Sequence, residues 1–143
     1  MPTITQTEVV PFSAAQMFAL VDAVERYPEF LPWCERALVT IRTPSLARAR
    51  LDVRKGRLHY SFTTDNHLRA PHEIELRLVD GPFKRLHGTW HFAENALGCR
   101  VTLTLDFEFA NRIVGAAIGP LFKVMTGSLV NCFKQRAVVL HGS

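Results

Sequence analysis

The chain has only three cysteines, Cys34, Cys99 and Cys132, an odd number at wide spacing. No disulfide framework follows from them, and we expect a cytoplasmic, reduced protein. No uninterrupted apolar run approaches the roughly 18 to 20 residues a bilayer-crossing helix needs, and no leader-like apolar segment follows Met1. Any membrane contact is therefore expected to be peripheral, at the surface of the inner membrane. A glycine-rich phosphate loop, zinc-ligand spacing and a serine elbow are all missing, which removes the nucleotide, zinc and hydrolase chemistries those motifs carry. Repeats, low-complexity tracts and linkers are missing too. The 143 residues thus read as a single domain over 1–143, large enough to bury roughly two thirds of the surface its unfolded chain exposes.

What is there begins with charge. The formal net charge is +4, unevenly spread: between positions 36 and 57, Arg36, Arg42, Arg48, Arg50, Arg54, Lys55 and Arg57 face only Asp52. This surplus is either a solvated sheet face or a surface for an anionic partner such as RNA or phospholipid headgroups.

Hydrophobic period divides the rest. Residues 3 to 10 (TITQTEVV) are rich in β-branched types and predict a strand. Ser13 is a plausible N-cap for a short helix with Met17, Leu20, Val21 and Val24 on one face, and the helix must stop before the residue preceding Pro28. In "YPEFLPWCER" (Tyr27 to Arg36), Pro28 and Pro32 punctuate Tyr27, Phe30, Leu31 and Trp33, so the segment is an unusually apolar loop. A period of two then governs "LARARLDVRK", "LHYSFTT", "EIELRLV", "RLHGTWHF" and "CRVTLTLDFEF", with turn chemistry between them. Short connections make this an antiparallel meander with one apolar face, which needs a cover. Val114, Ile118, Leu121, Phe122, Met125, Leu129, Phe133, Ala137 and Leu140 recur at helical spacing and supply it. Gly115 and Gly119-Pro120 predict a break, with a main helix beginning near Pro120 and ending at Gly142. The fold class is α+β: a curved antiparallel sheet of about seven strands and a long C-terminal helix.

Enzyme readings fare poorly. His87 and His91, four residues apart on a strand, lie roughly 13 Å from each other and fall on the wet face, which does not suit a metal pair. Asp106 and Glu108 share that polar face, away from any apolar pocket. Cys34 has no histidine nearby in sequence to activate it. We expect no enzyme, no metal and no required cofactor.

"MFALVDAVERYPEFLPWC", "LVDGPFKRLHGTWHF", "LDFEFANRI" and "FKQRA" together resemble the coenzyme Q-binding (polyketide cyclase/START-like) family, in particular its bacterial ribosome association toxin RatA branch. The resemblance runs from Thr5 to about His141. It implies a helix-grip fold, in which the sheet grasps the C-terminal helix and a lipophilic ligand lies between them. It also implies a ligand, most readily ubiquinone or a related polyprenyl lipid, and a role as a quinone chaperone in cellular respiration. Pocket residues would come from Tyr60, Phe62, Leu76, Trp90, Phe92, Leu103, Leu105 and Phe107 on the sheet and Ile118, Phe122, Met125, Leu129 and Phe133 on the helix, with the Tyr60 hydroxyl or Trp90 indole toward a ring carbonyl. Tyr27, Pro28, Phe30, Leu31, Pro32 and Trp33 would border the pocket entrance as an apolar lip, the alternative being that they turn inward and cap the core. The RatA branch implies instead a protein that binds the large ribosomal subunit and blocks subunit joining and translation initiation, with Arg48, Arg50 and Arg54 meeting rRNA phosphates. DNA is not among the expected partners.

Overall fold

The computed structural model describes residues 3–142. Seven strands form one antiparallel sheet: β1 (Thr3–Val10), β2 (Cys34–Arg42), β3 (Leu46–Lys55), β4 (Leu58–Arg69), β5 (Glu73–Asp80), β6 (Phe83–Glu94) and β7 (Cys99–Phe109). Their order is β1-β7-β6-β5-β4-β3-β2, the meander read from the sequence with the first strand added to the far side of the last. Register shifts in the β2/β3, β4/β5 and β6/β7 pairs supply the bulges that curve a sheet around a core.

Helix α1 (Ala14–Asp22) starts where Ser13 predicts. The Ser13 hydroxyl accepts from the Gln16 backbone N–H at 3.1 Å, and the Gln16 side chain accepts from the Ser13 N–H at 2.9 Å, a reciprocal cap that satisfies two orphan donors. Met17, Leu20 and Val21 are buried. Val24 belongs to a six-residue 3-10 turn, Val24–Glu29, which takes Pro28 inside it.

Helix α2 (Arg112–His141) runs unbroken for 30 residues, correcting the expected break at Gly119-Pro120. Proline costs a helix one N–H and crowds the preceding turn, yet here the ring is on the exposed face. The two glycines seat this turn on Phe109: a Cβ at Gly115 would lie 3.2 Å from the ring, and one at Gly119 3.9 Å. Asn111 caps the start, accepting from the Val114 N–H at 2.9 Å, and Gly142 ends the helix as predicted, at an ordinary φ of −75°. By length and composition α2 could cross a membrane, contrary to the expectation from sequence. Its apolar face, from Ile118 and Leu121 through Met125 and Phe133 to Ala137, is instead buried in the hollow of the sheet.

Two ring clusters hold the helix there. Toward its N-terminal half, Phe122 lies 4.6 Å from Phe107 and 5.3 Å from Phe83, measured between ring centroids. Toward its C-terminal half, Phe133 meets Tyr27 at 5.3 Å and Phe30 and Trp90 at 5.2 Å, all edge to face. These are favourable aromatic geometries.

Candidate functional site: a cavity between sheet and helix

The space between the two clusters is not filled. A cavity of about 90 Å³ remains, walled by β3 to β7, α2, and the segment from Val21 to Trp33. Register explains why the space exists. Inward positions of β4 are Tyr60, Phe62, Thr64, Asn66 and Leu68, and Thr64 pairs with Ala49, Asn66 with Ala47. Two alanines opposite a short polar pair leave volume that larger residues would occupy. Gly88 has the reverse effect on the far wall: a Cβ there would meet the Leu105 side chain at 2.6 Å, so only glycine lets Leu105 and Leu76 close over β6.

Of the residues proposed for a pocket, Phe62, Leu76, Trp90, Leu105, Phe122, Met125, Leu129 and Phe133 line the cavity. Tyr60, Phe92, Leu103, Phe107 and Ile118 do not. The Tyr60 hydroxyl contacts the Met125 sulfur at 3.5 Å, and burial pushes its pKa up. Phe92 packs on Phe18, Phe107 on Phe122, and Leu103 and Ile118 are core.

The apolar loop adopts the inward alternative. Tyr27, Leu31 and Trp33 are buried, and the Tyr27 hydroxyl donates to the Val21 carbonyl. Its burial, with Asp22 nearby, raises the phenol pKa and keeps it neutral. Phe30 is half-buried between Phe133 and the Arg136 guanidinium, which lies 5.1 Å from its centroid and pairs with Glu29 at 2.6 Å. Of the six residues expected to border an entrance, only Pro28 and Pro32 face solvent. No outward apolar lip forms, because the ring cluster around Phe133 buries more surface than an exposed rim would.

Sequence reasoning missed the polar residues of the wall: Thr64, Asn66 and Thr126, all buried. The Thr64 hydroxyl donates to Asn66 Oδ1 at 2.7 Å and the Thr126 hydroxyl to the Phe122 carbonyl at 2.9 Å. Following the period of two past "LHYSFTT" as far as Asn66 would have exposed the first pair.

The arginine stripe proposed for RNA is tied down by carboxylates. Arg48 grips Asp65 with two bonds, at 2.7 and 3.0 Å, and holds that carboxyl below its usual pKa. Arg50 pairs with Asp52 at 3.0 Å and Arg54 with Glu35 at 3.0 Å. Asp65 stands directly across from Arg48 on β4, Asp52 is two residues along β3 from Arg50, and Glu35 reaches Arg54 from the adjoining β2. Arg36, Lys55 and Arg57 are exposed and make no ion pair among the described residues.

The outer-face candidates for catalysis are likewise paired. His87 meets Glu75 at 2.8 Å and His91 meets Glu73 at 3.4 Å, while Asp106 and Glu108 share Arg85. Cys34 is buried, its thiol pKa pushed up to about 11, mainly by desolvation. No three histidine, cysteine or acidic residues among those described are placed to hold a metal.

A curved sheet closed around a long helix, with an apolar cavity between them, defines a helix-grip protein of the START type. Residues 10–134 match the family described as polyketide cyclase / dehydrase and lipid transport, and the chain belongs to that family. It is 45% identical, over 97% of both chains, to the ribosome association toxin RatA of Pseudomonas aeruginosa. The Xenopus laevis mitochondrial coenzyme Q-binding protein COQ10 homolog B is 27% identical over 96% of this chain and 59% of its own length. A START superfamily protein from Mycobacterium smegmatis superposes with a TM-score of 0.80 at 22% identity, over 96% of this chain and 98% of that one.

Proposed function

We propose that this protein associates with the ribosome, docks on the large subunit and opposes subunit joining, without catalysing a reaction. The observation that carries this reading is the end-to-end similarity to a protein named for ribosome association. Charge supports it in a revised form. With Arg48, Arg50 and Arg54 already neutralised by Asp65, Asp52 and Glu35, rRNA phosphates would be met by Arg36, Lys55 and Arg57. Sedimentation with purified large subunits over a salt series tests this. Wild type should bind with a steep salt dependence, and an R36E/K55E/R57E variant should bind more weakly, its log–log salt slope lower by about one unit for each phosphate it no longer neutralises. Failure of wild type to sediment with large subunits would refute the function. An unchanged variant would refute only the choice of these three side chains.

A second reading is favoured by the cavity itself: reversible binding of a hydrophobic small molecule. A volume of about 90 Å³ is of the order of the roughly 150 Å³ site that takes up benzene. It suits a ring-sized group rather than an isoprenoid tail, so ubiquinone would fit only with its tail outside. Organic extraction and mass spectrometry of protein from a quinone-producing bacterium, with F122W/L129W as the filled-cavity control, separates a bound quinone from an empty or differently filled site.

A further inference from the structure

The polar groups on the cavity wall are unbalanced. Tyr27, Thr64 and Thr126 each donate within the protein, to the Val21 carbonyl, to Asn66 Oδ1 and to the Phe122 carbonyl. Two side-chain donors of residues that line the cavity make no hydrogen bond among the described residues: the amide N–H₂ of Asn66, whose Oδ1 accepts from Thr64, and the indole N–H of Trp90. Asn66 is only 6% exposed and Trp90 3%; the Trp33 indole N–H also lacks a partner but is sealed from the cavity as well as from solvent. The Asn66 and Trp90 groups are both donors. No acidic, basic or histidine side chain lines the cavity.

A buried donor without an acceptor costs free energy that an apolar replacement would not, so the wall is built for an acceptor that the protein does not itself contain. Charge narrows the class. With no cation on the wall, a carboxylate would be buried without a counter-charge, which neutral donors offset poorly. Size narrows it again, to about one ring. We propose that the cavity selects a neutral, ring-sized molecule bearing a carbonyl-type acceptor, and that Asn66 is the residue that makes the selection by donating its amide N–H to that oxygen. This rests on the reading of the cavity as a ligand site.

The test uses two near-isosteric probes, acetophenone and α-methylstyrene, which differ in carrying C=O or C=CH₂. Binding is followed by NMR through the Met125 methyl, which reports entry into the cavity, and through the Asn66 side-chain amide, which reports the hydrogen bond. Acetophenone should move both signals, α-methylstyrene the methyl alone. In N66L the affinity ratio of acetophenone to α-methylstyrene should fall about fivefold, the worth of one neutral hydrogen bond. The amide measurement needs only wild-type protein, so the proposal stays open to refutation if N66L does not fold. If both probes move the methyl while the amide stays still and the ratio is unchanged, the selection by Asn66 is wrong and the ligand site stands, its donors served by water alone. If neither probe moves the methyl, the ligand site and the selection both fall.

Discussion

Replacing Phe133 with alanine should cost about 4 kcal/mol. The ring is almost fully buried and stands at the centre of three edge-to-face contacts, with Tyr27, Phe30 and Trp90, at 5.2 to 5.3 Å and interplanar angles of 75° to 80°. Phe-to-Ala changes in cores cost about 3 to 5 kcal/mol. Two local features pull in opposite directions within that range. The side of the ring that faces the cavity already lacks neighbours, which lowers the loss, while the three ring partners raise it by a few tenths to about 1 kcal/mol each. Urea denaturation is the assay, and with an m-value of about 2 kcal/mol/M the midpoint should fall by roughly 2 M. The deleted ring also joins its own volume to the existing cavity, so saturating benzene should raise the midpoint of F133A more than that of wild type. A loss below about 2 kcal/mol, or no difference in the response to benzene, would refute the view that Phe133 forms the wall of the cavity and locks the Tyr27–Trp33 segment onto α2.

Gly98 sits at φ +153°, and a Cβ there would lie 2.3 Å from the Val10 carbonyl oxygen. G98A should therefore lose about 3 kcal/mol, or roughly 10 °C in Tm, whereas G56A, at φ +63° with open space around it, should lose only the backbone cost of about 1 kcal/mol. Cys34 keeps its proton to about pH 11 when folded, against an ordinary value of 9.0. Native protein should resist iodoacetamide at this thiol at pH 8, as peptide mapping would read. Because burial penalises the thiolate, the Cys34 contribution to stability is complete below pH 9 and lost between 9 and 11. Urea midpoints at about pH 8 and about pH 10.5 should therefore converge more closely in C34A than in wild type.

The period of two is clearest where one face of a strand is plainly buried. In β7, Cys99, Val101, Leu103, Leu105 and Phe107 are all buried and their neighbours are not, and alternation of that quality leaves no other reading. Strand β2 was not legible because it is an edge: Leu38 and Ile41 point outward at 45% and 37% exposure, so apolar residues occupy both faces and the period disappears. The unbroken α2 was hidden for a different reason. Its two glycines read as helix breakers, and only the ring of Phe109 lying against that turn explains them as packing surfaces. The cavity was least legible of all, since it depends on which residues of β3 stand opposite Thr64 and Asn66. Cross-strand register is a property of the pair, and Ala47 and Ala49 look like ordinary core until it is known. The arginine stripe misled partly in the same way: Asp65 and Glu35 reach Arg48 and Arg54 from neighbouring strands, while Asp52 pairs with Arg50 along the same strand.

The pairing of β1 with β7, Thr3 opposite Asp106 and Val10 opposite Cys99, sets a schedule for the newborn chain. The first strand to leave the ribosomal tunnel is among the last to find its partner, because β2 to β6 must be made before β7 exists. Until then the meander has no closed hollow, and α1 has no helix α2 to lie against. Native contacts so distant in sequence slow folding, and an N-terminal strand that waits is a strand free to pair elsewhere. Strand β1 therefore acts as the latch of the sheet: deleting it would bare the edge of β7 along its whole length rather than trim a margin, and the damage should appear first in the yield of folded protein from synthesis.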